Sequence, residues 1–125
     1  MTRIIIEAVT PAQARLPVYA QEGCGDWFSD RDGNLLIQVV TEGERDVMDR
    51  SDLFLIALHE LVEAVLCRHT GVPQGAVDAF DMKFIGEGEP GDHLDAPYQR
   101  QHRASMMIEH LMAIFLGRYD YGAVE

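Results

Sequence analysis

The segment LFLIALHELVEAVLC, residues 53–67, decides how this chain is read. Twelve of its fifteen residues are apolar, and the other three are His59, Glu60 and Glu63. Ser51 or Asp49 can cap a helix that runs to about His69 and stops at Gly71, with Pro73 beyond. At about 100° per residue, Glu63 lies about 40° and Glu60 about 100° round from His59. The helix is therefore apolar almost all round, with one polar window. Burying a lone carboxylate costs several kcal/mol even after relaxation. Two carboxylates in one turn also repel, so something positive must face them: a metal, an arginine, or water in a cleft.

On the N-terminal side, RIIIEAV (3–9) is β-branched and short, as a strand should be. TPAQARLPVYAQEGCG (10–25) is mostly loop, with a brief helix starting at Thr10-Pro11. DWFSDRDGNLLIQVV (26–40) reads as a hairpin, Asp26 to Ser29 and Leu35 to Val40, turning at Asp32-Gly33. TEGERDVMDR (41–50) is a charged connector. On the C-terminal side, VDAFDMKF (77–84) is a short amphipathic piece and IGEGEPGDHLDAP (85–97) an acidic loop. A second long helix spans about Pro97 to Leu116, capped by Asp95 and ended by Gly117. Strands first and two long helices later predict a single α+β domain, in which those helices pack together.

The second helix carries a window of its own. His102 and Glu109, seven residues apart, share one face with Met106 between them, and His110 lies about 80° round from Glu109–His102's sector. His102 falls in the polar half YQRQHR, where exposure is the ordinary expectation, and His110 suits the C-terminal half of a helix.

HELVE (59–63) resembles the zincin metallopeptidase motif H-E-x-x-H, with Glu63 in place of the second histidine. The resemblance implies zinc as cofactor, His59 and Glu63 as metal ligands, and Glu60 as the catalytic general base that activates water. It also implies a further ligand from a downstream helix, a place His102 or Glu109 can fill. Together, His59, Glu63, His102 and Glu109 could close one shell. Glu63 adds negative charge where the motif has a neutral ligand, which weakens the ion as a Lewis acid and leaves room for another divalent metal. In a zincin-like layout LLIQVV (35–40) would be an edge strand beside the active helix; being apolar on both faces, it suits the interior equally. The chain also resembles short proteins encoded in phage and prophage genomes, a likeness that carries no function.

Other classes fit parts of the pattern. Asp78 and Asp81, with Glu60 and Glu63, echo the carboxylate pairs that hold magnesium in all-α nucleoside-triphosphate pyrophosphatases, although the hairpin and the lack of a Lys/Arg cluster oppose this. Asp78 could instead cap a helix, and His93 sits in a loop placed like a lid. A non-enzymatic reading makes the same residues a structural metal site, or a polar core, in a small acidic domain that binds another protein.

Composition sets the bounds. The chain has 125 residues, 47% hydrophobic, enough for one core. No apolar run approaches the ~20 residues of a membrane span, and the N-terminus is a poor signal peptide. A net charge of −11 argues against nucleic acid or an anionic membrane as partner and suits a basic protein or simple solubility, while the zincin resemblance implies a peptide or protein substrate. Cys24 and Cys67 are expected as free thiols in a reducing cytoplasm. Composition leaves the oligomeric state open. If the chain is an enzyme, the zincin resemblance implies a metal-dependent hydrolase with a peptide or amide substrate; the non-enzymatic protein-binding domain is the alternative.

Overall fold

The computed structural model describes residues 2–43, 46–47 and 50–121. Its sheet has three strands, β1 (Ile4–Val9), β2 (Gly25–Ser29) and β3 (Leu35–Val40), in the order β1-β3-β2. The expected hairpin is present: β2 and β3 pair antiparallel, with Trp27 opposite Ile37. Asp30 organises its turn by accepting from the amides of Asp32 and Asn34, both at 2.9 Å. Only Gly33 takes a positive φ there, +81°, because the five-residue connection spares Asp32 that strain.

β1 lies parallel to β3 on its other side. LLIQVV is therefore an interior strand, which explains its apolarity on both faces. Ile37 and Val39 are fully buried on the helix side. On the opposite side Gln38 is also buried, and its amide nitrogen donates to Glu7 at 2.8 Å. The strand edge beside the first long helix belongs to β2.

That helix, α1, runs Ser51–Thr70 and ends at Gly71, whose φ of +78° permits the left-handed exit. Its N-cap is Arg50, not Ser51; Asp49 lies outside the described residues. Ser51 is already helical, and its hydroxyl accepts from Arg118. Leu53, Ala57, Ala64 and Cys67 pack with Trp27, Ile37 and Val39 into the core.

Among the described residues, three α-helices follow the sheet rather than two. The piece around VDAFDMKF is α2, Gln74–Lys83, whose first turn hangs on the carbonyl of Pro73. The last helix, α3, spans Gln99–Phe115 with Tyr98 at its N-cap. Asp95 does not cap it. Its amide instead donates to His93 Nδ1, and further turns delay the helical ladder until the His102 amide reaches the Tyr98 carbonyl at 2.8 Å. Gly117 turns the chain at the far end, with φ +77°. Helices α1 and α3 pack on each other, as expected. Among the described residues, no helix is long and apolar enough to cross a membrane.

Candidate metal centre

The polar window of α1 faces α3. His59, Glu63 and His102 are all buried, and their donor atoms converge. Glu63 Oε2 lies 3.2 Å from His59 Nε2 and 3.1 Å from His102 Nδ1. The two imidazole rings stand edge to face with centroids 4.8 Å apart. The other Glu63 oxygen accepts from the indole Nε1–H of Trp27 at 3.1 Å. Two imidazole nitrogens and one carboxylate oxygen form a donor set that suits zinc.

Glu109 faces His59 across the α1–α3 interface, as expected, but from the other edge of the ring. It accepts from His59 Nδ1 at 2.7 Å, on the ring edge away from Glu63, and is not among the three converging residues. Its second oxygen accepts from the Tyr121 hydroxyl. Glu109 therefore fixes the orientation of His59 and leaves Nε2 to face the cluster, the support that metal-binding histidines commonly have.

Glu60 flanks the group, its Oε2 3.8 Å from His59 Nε2. Strand β2 presses on its side chain: a Cβ at Gly25 would fall 2.5 Å from Glu60 Cγ and 2.8 Å from Cδ. Only glycine lets the strand come so near. The cluster opens on a cleft of about 390 Å³ lined by β2, α1, α3 and the loop at Gly88–Gly91.

Charge is settled inside the cluster. Burial opposes a charged His59, but hydrogen bonds to Glu109 and Glu63 outweigh it and push the imidazole up to about 11. Burial likewise opposes charge on His102, and Glu63 leads the carboxylates that push it up to about 9. Burial raises a carboxyl, yet the two histidines bring Glu63 down to about 2. On Glu60 the same histidines act only through space, His59 from 3.8 Å. Burial first, then repulsion from Glu63, holds the Glu60 carboxyl well above the usual range.

Asp78 and Asp81 are not in the converging set. Asp78 takes both Nη atoms of Arg15, at 2.8 and 2.9 Å, while Arg15 also grips Asp26 with Nε and Nη2 at 3.0 and 2.9 Å. The Tyr19 hydroxyl lies 2.9 Å from Asp78 Oδ1 and 2.7 Å from Asp81 Oδ2. Tyr98 donates to the remaining Asp81 oxygen. Asp78 thus lies within α2 as an ion-pair partner and not at a cap. His93 packs near Phe80 and Phe84, and His110 against Tyr121, both apart from the cluster. Cys24 and Cys67 are both free.

Sequence reasoning missed Trp27, Gly25, Glu89 and Asp92. Trp27 offered one signal, an indole N–H that must find an acceptor once buried. The others are set by long-range packing that no spacing encodes. Comparison of the chain with protein-family models, curated proteins and solved structures finds no match in any of the three.

Proposed function

We propose that the chain is a zinc-dependent hydrolase acting on a peptide or amide bond, with His59, Glu63 and His102 holding the ion and Glu60 as general base. The observation that carries this reading is the convergence of three donors on the wall of a cleft, with a raised carboxyl beside them. Zinc bound there supplies Lewis acidity toward water and toward a carbonyl oxygen. Glu60 takes the proton from the attacking water and returns it to the departing nitrogen. A cation bound beside Glu60 would offset the burial that raises its carboxyl and favour the ionised form a base needs. Glu109 keeps His59 oriented, and Trp27 does the same for Glu63. The two free thiols support a place in a reducing cytoplasm.

The test is hydrolysis of a broad library of unblocked and blocked peptides by zinc-loaded protein. Glu60→Gln should lower kcat/KM by at least about 100-fold while zinc content stays unchanged. A wild-type protein that cleaves nothing, or a Glu60→Gln protein as active as the wild type, contradicts the assignment.

One observation favours a second reading, a structural metal site in a protein-binding domain. Met107, Leu111 and Phe115 form an exposed stripe along α3, at 73%, 56% and 76% of full exposure. Coordination separates the two readings: three protein ligands and an open position suit catalysis, and four protein ligands suit structure.

A further inference from the structure

His102 has a second nitrogen, and the metal centre leaves it unused. The residue is only 4% exposed, and its Nε2 is buried without a hydrogen-bond partner among the described residues. Two carboxylates nonetheless crowd it, with Glu89 Oε2 at 3.3 Å and Asp92 Oδ1 at 3.2 Å. The three donor atoms are mutually close enough to share one ion. Metal–donor bonds of about 2.0–2.2 Å place neighbouring donors roughly 3–3.5 Å apart, which is the spacing of His102 Nε2 from each carboxylate.

The loop is shaped to this ring. Glu89, Pro90, Gly91 and Asp92 form a tight turn closed by the Asp92 amide on the Glu89 carbonyl at 3.1 Å. A Cβ at Gly91 would fall 2.5 Å from His102 Cγ and 2.6 Å from Nδ1. Glycine lets the backbone lie against the imidazole, and the turn then brings both carboxylates to Nε2. Both carboxylates are exposed at their outer edges, so a cation can enter by parting them.

We infer that Glu89, Asp92 and His102 Nε2 form a second site for a divalent transition-metal ion, joined to the first through the His102 ring. The inference rests on the proposed first site, since a bridge needs an ion on Nδ1 as well. Imidazole carries one proton per nitrogen at most. Filling the first site takes the Nδ1 proton, and filling the second takes the Nε2 proton, leaving a bridging imidazolate. The second ion binds more weakly, because its ligands are exposed and the ring must give up its last proton.

Copper(II) alone serves as the probe. Metal-free protein is titrated above neutral pH and followed by electron paramagnetic resonance. Two copper ions sharing an imidazolate couple antiferromagnetically, so their signals cancel. The signal should rise through the first equivalent and lose most of its intensity through the second. In Glu89→Gln/Asp92→Asn it should rise equally and then not fall. Both substituted side chains are largely exposed, so the fold should tolerate the change. A second equivalent that leaves the wild-type signal undiminished overturns the bridged site while the first site stands. A loss that persists in the double variant also overturns it. If the first equivalent fails to bind, or binds unchanged in Glu63→Gln, the first site falls and the bridge with it.

Discussion

His59 Nδ1 donates to Glu109 at 2.7 Å across the α1–α3 interface. This bond spans fifty residues of sequence and decides which nitrogen of His59 faces the cluster. Glu109→Ala frees the ring to turn and lowers its basicity. Zinc affinity should fall about 10–100-fold, measured by competition with a chromophoric chelator, while the circular dichroism spectrum stays native. Unchanged affinity would show that Glu109 has no part in positioning His59.

Metal binding should release protons. In the metal-free protein both His59 Nε2 and His102 Nδ1 hydrogen-bond to the same Glu63 oxygen, so each carries a proton. An ion in their midst displaces both. The first zinc equivalent should release about two protons, read by calorimetry in buffers of different ionisation enthalpy. A buffer-independent heat would contradict the ligand set.

Removing metal should lower the melting temperature, because an ion bound by the folded chain alone stabilises it and ties α1 to α3. His59→Ala and His102→Ala should each abolish the zinc-dependent shift, and the double variant should lose little more than either alone. Additive losses in the presence of zinc would mean that the two histidines do not share an ion.

The first long helix and its stop at Gly71 could be read from the sequence, because apolar density and a glycine exit are local properties. The hairpin was legible for the same reason, through Asp32-Gly33 between two apolar runs. That α1 and α3 bring His59, Glu63 and His102 together was also within reach, since burying carboxylates demands a partner. The role of Glu109 was not, because its seven-residue spacing from His102 gives a shared face but not which neighbour each side chain meets. The late start of α3 was hidden too. Asp95-Ala96-Pro97 has good capping chemistry, but His93 captures the Asp95 amide and Asp81 fixes Tyr98. The place of LLIQVV in the sheet depended on a parallel partner, β1, and parallel pairing leaves no turn signal to read.

Acid should act through a different group. Burial opposes charge on Asp78, but Arg15 and Tyr19 overcome it and hold the carboxyl below its ordinary value of 3.8. A depressed carboxyl contributes stability that is present above its unfolded value and lost as pH falls through its folded one. Asp78→Asn should therefore be less stable than wild type by about 1–3 kcal/mol at neutral pH, and the gap should close below pH 3.8. Urea denaturation at a series of pH values gives the comparison. A gap that stays constant into acid would show that the Arg15–Asp78 pair contributes nothing through charge.

The shared ion between α1 and α3 is most directly tested by elemental analysis of the purified, gel-filtered protein beside His59→Ala and His102→Ala. The expected result is about one equivalent of zinc per chain in the wild type, the weaker second site having emptied, and almost none in either variant. A wild-type protein without transition metal that also shows no thermal shift on adding zinc would contradict the metal centre, as would variants that retain the full equivalent.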